Sequence, residues 1–227
     1  MSLKISNWKK IITRSLWAIL GIVFIAFFVR VAVWEHNYYA EKEGSERAVA
    51  VVEEEEETVD ETDITEEQVQ EYTVAADRPR YLTIEKLGIK NARILAVGLT
   101  TNGALGTPSG IYDAGWYYGS GKPGQGGTLL MDGHNGGPTK VGIFKYLPSL
   151  VEGDIITIER GDGAIFNYTV VENITVALSE SDAYMTTAQT TPVAGKESVT
   201  IITCTGEWSQ AQKTYLSRQF LRAVLTE

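Results

Sequence analysis

Beyond Pro79 the apolar positions come in short bursts that turns interrupt. RYLTIEKLGIKNARILAV gives short apolar runs broken at Gly88 and Asn91, and GGTLLMDGHN is an apolar run that ends in a turn. In GDIITIERGDGAIFNYTVVENITVAL, Ile155, Thr157 and Glu159 alternate with Ile156, Ile158 and Arg160. The GDG at 161–163 then turns the chain, and Phe166, Tyr168 and Val170 return, so the stretch predicts a hairpin. SVTIITC is β-branched at almost every position and SRQFLRAVL closes the chain, each reading as a strand. Helical character is slight: VGIFKYLPSL predicts one short helical turn and SESDAYMTTA another. GALGTPSGIYDAGWYYGSGKPGQGG, dense in glycine and aromatic residues, predicts loop. Many short strands with few helices point to an all-β domain, a closed or nearly closed β-barrel.

A different pattern governs the N-terminal third. Residues 16–29 contain no charge, and the apolar character continues past Arg30 to Trp34. The span 15–34 has the length, roughly 20 residues, that a helix needs to cross a bilayer. Lys4, Lys9, Lys10 and Arg14 precede it and Glu35 follows it, which keeps residues 1–14 in the cytoplasm and sends the rest outside. The run is long for a cleaved signal and no small-x-small site follows it, so an uncleaved single-pass anchor in the cell membrane is expected.

Charge separates the next segment from the barrel. Residues 41–71 carry 14 acids against Lys42 and Arg47, including five successive glutamates at 53–57. The whole chain carries −9, so the acidity belongs to this segment and the remainder is nearly neutral. Residues 35–78 are therefore expected to form an acidic, disordered extracellular linker, with the folded domain at 79–227. A domain without basic excess is a poor partner for nucleic acid.

Several site types are excluded by spacing. GSGK is followed by Pro123, and Trp116 stands where a phosphate loop needs its first glycine. Ser120 has Tyr118 where a nucleophile elbow needs glycine. One cysteine and two histidines leave too few ligands for a zinc site of ordinary type. What remains is Cys204, the only cysteine, with His134, the only histidine beyond His36. An unpaired cysteine outside the membrane is an intermolecular bridge, a buried apolar filler or a reactive thiol. Both residues stand where a predicted strand meets a loop, the usual place for catalytic groups. Arg218 and Arg222 follow on the next strand, where a guanidinium can favour the thiolate and stabilise an oxyanion.

The ordered set LLMDGHN, IFKYLPSLVEGDIITIE, TIITCTG and SRQFLRAV resembles the sortase family of cysteine transpeptidases. The matching elements are Gly133-His134, Phe144 with Leu147, Gly153-Asp154, Thr203-Cys204 and a late arginine, over about residues 79–227. The resemblance implies an eight-stranded β-barrel. It also implies that Cys204 attacks a Thr–Gly-like bond in a sorting signal similar to Leu-Pro-x-Thr-Gly, forming a thioacyl enzyme, chemistry that requires no metal or organic cofactor. An amine of a peptidoglycan precursor or a pilin lysine then resolves it. His134 would act as acid and base, Arg218 would orient substrate and steady the oxyanion, and Thr203 would help shape the peptide groove. Arg218 rather than Arg222 matches the family spacing. Two alternatives stay open: a silent barrel that binds sorting signals, and an L,D-transpeptidase. The second family holds its histidine and cysteine close together in one motif, whereas here 70 residues separate them. Asp132 departs from the apolar or small residue usual before Gly-His, and its strand-end position predicts that it faces water.

Overall fold

The structure is a computed structural model that describes residues 59–101, 103–190 and 195–226. The expected cytoplasmic segment 1–14, the anchor 15–34 and the first part of the acidic linker lie outside the described residues. Among the described residues no helix is long and apolar enough to cross a membrane.

Eight strands close into a barrel, as the strand pattern led one to expect. They are β1 (Pro79–Ile84), β2 (Ile89–Val97), β3 (Ala114–Tyr117), β4 (Thr128–Asp132), β5 (Ile155–Arg160), β6 (Ile165–Ala177), β7 (Ser198–Ser209) and β8 (Thr214–Leu225). Around the barrel the order is β1-β2-β3-β4-β7-β8-β6-β5. The β2–β3 and β4–β7 pairs are parallel and the others antiparallel. Helix α1 (Glu66–Glu71) precedes the barrel, and α2 (Leu178–Thr190) connects β6 to β7. The predicted hairpin is β5–β6, with Gly163 at φ +85° in its turn. Gly88, at φ +72°, ends a short 3-10 turn and breaks the first apolar stretch into β1 and β2. At Asn91 the strand does not break: β2 runs through it.

The alternation along each strand sorts side chains into two layers. One fills the barrel: Leu82, Ile94, Trp116, Leu129, Met131, Phe144, Leu147, Ile156, Tyr168 and Ile201 are buried there. The other is a smaller outer cluster of Leu130, Val176, Ile202 and Phe220, with Tyr184 and Met185 of α2 packed against it. The Tyr184 and Phe220 rings lie 4.6 Å apart.

Two expectations are corrected. The glycine-rich stretch is not all loop, because β3 runs through it. Trp116 supplies enough buried apolar surface to outweigh its glycine neighbours, and its indole N–H donates to the Gly121 carbonyl at 2.9 Å. Nor is the acidic segment disordered up to residue 78. Its last part, 59–78, folds onto the barrel: Thr65 and Gln68 form a capping box that starts α1. Arg80 Nε donates to the Tyr72 carbonyl at 2.8 Å, the Tyr81 hydroxyl donates to the Val69 carbonyl, and the Tyr72 and Tyr81 rings pack against each other. Net charge averages over the segment and misses these aromatic and capping positions.

Candidate active site

Strand order brings the three sequence candidates together. β4, β7 and β8 are consecutive in the barrel. Asp132 of β4 lies in register with Ile202 of β7, so His134 and Cys204, each two residues further on, leave the same end of the parallel pair. Across the antiparallel β7–β8 ladder, Cys204 is the direct partner of Arg218. Partners in such a ladder stand about 4.5–5.5 Å apart at Cα, with side chains on one face. Arg222 pairs instead with Thr200 and bonds Glu172 of β6 at 3.5 Å. Register therefore puts Arg218, not Arg222, beside the thiol.

Cys204 shares strand parity with Ile202, and Arg218 with Phe220. The thiol thus continues the outer apolar cluster, at the point where it opens to solvent. The Arg218 guanidinium is held by residues of its own strand: Nη1 donates to the carbonyls of Tyr215 and Ser217 at 2.9 and 3.1 Å, and Nη2 donates to Thr214 Oγ1 at 3.2 Å. His134 is half-buried, and its Nε2 meets the Pro108 carbonyl at 2.6 Å. A carbonyl only accepts, so Nε2 carries a proton.

Thr203 is placed differently from the expectation of a groove residue. It has the opposite parity to Cys204, is buried, and donates its hydroxyl to the Gly133 carbonyl at 2.8 Å. It ties the end of β7 to the residue before His134. Asp132 does not face water. It is 7% exposed and its Oδ2 accepts from Thr107 Oγ1 at 2.6 Å. The loop between β2 and β3 folds over it, which strand position alone does not reveal. That close approach needs Gly115: a β-carbon there would collide with Asp132 Oδ1 and come within 2.9 Å of Pro108 Cδ. Among the described residues no group of three or more His, Cys, Asp or Glu side chains is spaced to hold a metal ion.

A family model described as the sortase domain matches residues 82–226. The chain belongs to the sortase family. No curated protein matches it. Among solved structures it is similar to sortase C1 of pilus island 1 of Group B Streptococcus, at 20% identity and TM-score 0.49, over 69% of this chain and 67% of that one. It is similar to sortase C of Streptococcus pneumoniae at 19% identity and TM-score 0.48, over 83% and 89%. The sortase D5 transpeptidase of Clostridium perfringens aligns at 22% identity and TM-score 0.46, over 73% and 91%.

The sortase thiol sits between opposed influences. Burial pushes the Cys204 thiol above its ordinary range, the Arg218 charge pulls it down, and the Asp132 carboxylate pushes it further up. Removing the carboxylate charge by Asp132→Asn is expected to lower the thiol pKa and speed iodoacetamide alkylation at neutral pH. A pH profile of alkylation with the wild-type chain as reference checks it, and an unchanged or upward-shifted midpoint contradicts it.

Proposed function

We propose that this sortase is an active cysteine transpeptidase in which Cys204 is the nucleophile, His134 the acid and base, and Arg218 the oxyanion partner. The observation that carries the reading is the register of Cys204 against Arg218, next to the strand end that bears His134. The Cys204 thiolate attacks the carbonyl carbon of a Thr–Gly-like bond in a sorting signal. Negative charge develops on the carbonyl oxygen where the Arg218 guanidinium is already fixed, so little reorganisation is needed at the transition state. His134 gives a proton to the departing amine, leaving a thioester between Cys204 and the acyl half. A second amine then loses a proton to His134 and attacks the thioester. A new amide forms and the thiolate is released.

The family resemblance supports a sorting-signal peptide as first substrate. A peptidoglycan amine and a pilin lysine are the two classes proposed for the second. The apolar span 15–34, whose one charge is Arg30 near its outer end, supports a single-pass anchor that leaves the catalytic domain on the outer side of the cell membrane.

The test incubates the full-length chain with a panel of Leu-Pro-x-Thr-Gly peptides and reads intact mass. The expected result is an acyl adduct on the wild-type chain that glycinamide converts to a new amide, and none on Cys204→Ala. A folded wild-type chain whose thiol alkylates but which forms no adduct with any peptide would favour the silent binding barrel.

A further inference from the structure

His134 stands at the base of a small hairpin in the loop after β4. Phe144 N–H donates to the His134 carbonyl at 3.0 Å, Gly142 N–H to Asn135 at 2.9 Å and Gly137 N–H to Lys140 at 2.9 Å. Gly136 and Val141 form a bridge between these bonds. The tip of the hairpin is therefore Pro138 and Thr139, and the imidazole is at the other end of a short hydrogen-bonded ladder.

The acidic segment grips that tip. Glu61 Oε1 accepts from the Thr139 N–H at 2.8 Å and the Lys140 N–H at 2.9 Å, and Oε2 accepts from the Thr139 hydroxyl. Three donors converge on one carboxylate, and bonds to a charged acceptor are the strong kind. They hold it below the usual carboxylate range, the Thr139 hydroxyl first. The fit is close, because a β-carbon on Gly137 would collide with Glu61 Oε1. Lys140 Nζ adds an ion pair with Asp63 at 2.7 Å.

The neighbouring residue holds a second loop. Asp60 N–H donates to the Ser109 carbonyl at 2.8 Å, and Ile111 N–H donates to the Asp60 carbonyl at 2.9 Å. Ser109 follows Pro108, whose carbonyl accepts from His134 Nε2 at 2.6 Å. Two successive residues of the acidic segment thus join the loop that carries the imidazole to the loop that orients it. Ile143 N–H also links the two loops directly, donating to the Ile111 carbonyl at 3.0 Å.

We propose that Glu61 is a positioning residue for His134: its carboxylate fixes the tip of the hairpin whose base carries the imidazole, while the Asp60 backbone fixes the Pro108 loop against the ring. On the sortase reading, on which this rests, the segment joining the anchor to the barrel is part of what sets the catalytic geometry. A solvated stalk would have no such effect. Misplacing a catalytic group by about 1 Å can cost up to about a hundredfold in rate, even from a distant change.

The test compares full-length wild-type, Glu61→Ala, Glu61→Gln and Lys86→Ala chains. The last breaks a surface ion pair with Asp154 away from the hairpin and controls for general destabilisation. Acylation by Leu-Pro-x-Thr-Gly peptide is expected to fall about ten- to a hundredfold in Glu61→Ala, in kcat rather than KM. Cys204 alkylation should stay at the wild-type rate, and Glu61→Gln, which keeps an acceptor, should recover most of the loss. In a His36→Asn background, His134 gives the only imidazole nitrogen signals. These should show a single tautomer with the proton on Nε2, and averaging after Glu61→Ala. Wild-type acylation in Glu61→Ala, an equal loss in Lys86→Ala, or an unchanged imidazole spectrum would each overturn the proposal. If the wild-type chain forms no acyl adduct, the transpeptidase reading fails, while the imidazole spectrum still decides whether Glu61 positions the ring.

Discussion

An Arg218→Ala chain is expected to lose about 10²–10³ in the rate of thioacyl formation, the usual loss when a preorganised oxyanion partner is removed. Two effects combine. Arg218 is the direct ladder partner of Cys204, and its Nη1 is bonded to the Tyr215 and Ser217 carbonyls, so its charge is held in place before the oxyanion forms. The same charge pulls the thiol pKa down against burial. Without it the midpoint of the alkylation profile should move to higher pH, with less thiolate at neutrality. Lysine is expected to rescue poorly, because one ammonium cannot keep the three bonds that orient the planar group. Arg222→Ala separates charge from position. That arginine stands four residues further along β8, about 13 Å at strand rise, and bonds Glu172. Its loss should leave thioacyl formation near the wild-type rate. Single-turnover acylation of the two variants decides the matter. Equal losses would mean that the register does not select the catalytic cation.

Phe144→Ala is expected to lower stability by about 3–5 kcal/mol, the range for a fully buried phenylalanine. At roughly 2–4 °C per kcal/mol for a domain of this size, the melting temperature should fall by about 6–20 °C. The change reaches the site as well as the core. Phe144 fills the barrel beneath the hairpin, and its own N–H bonds the His134 carbonyl. Its ring also presses on Gly133, where a β-carbon would come within 2.7 Å of Cδ2. Acylation measured well below the new melting temperature should therefore still be reduced. Phe144→Leu, which keeps most of the volume, should recover most of the stability. Thermal unfolding by circular dichroism, with acylation at a fixed low temperature, checks both parts. Wild-type activity in a strongly destabilised Phe144→Ala chain would separate the core from the histidine.

These two residues differ in how legible they were. The sequence pattern offered Phe144 with Leu147 as a spaced pair, and packing supplies the reason: both are fully buried under the loop that holds His134. For the arginines, strand parity does not separate Arg218 from Arg222, and the preference for Arg218 rests on the family resemblance. Its structural ground is the β7–β8 register, which includes a bulge between Thr205 and Trp208 with Gly206 at φ +83°. Thr203 was read as a groove residue by resemblance, but parity with Ile201 turns it inward to the Gly133 carbonyl. Asp132 was expected in water and is covered by Thr107 and Pro108, residues that no local pattern ties to it.

The sequence by itself determined the class of fold, most of its strands and the main turns, and it offered Cys204 and His134 as candidate residues. Alternation, β-branching and turn glycines act over a few neighbours, and a lone cysteine and a lone histidine in the domain leave little choice of chemistry. Tertiary structure alone decided the register that sets Arg218 against the thiol, that β3 forms within a glycine-rich stretch, and that residues 59–78 belong to the folded body. Each of these depends on partners far apart in the chain: Cys204 on Arg218 across a closed barrel, Trp116 on the core, and Glu61 on Thr139 and Lys140 at the tip of the histidine hairpin. A run of like charges reads as a repelling, solvated tail because its partners are not in the run. Glu61 stays ordered because three donors from a distant hairpin converge on its carboxylate, a closure that only the folded barrel provides.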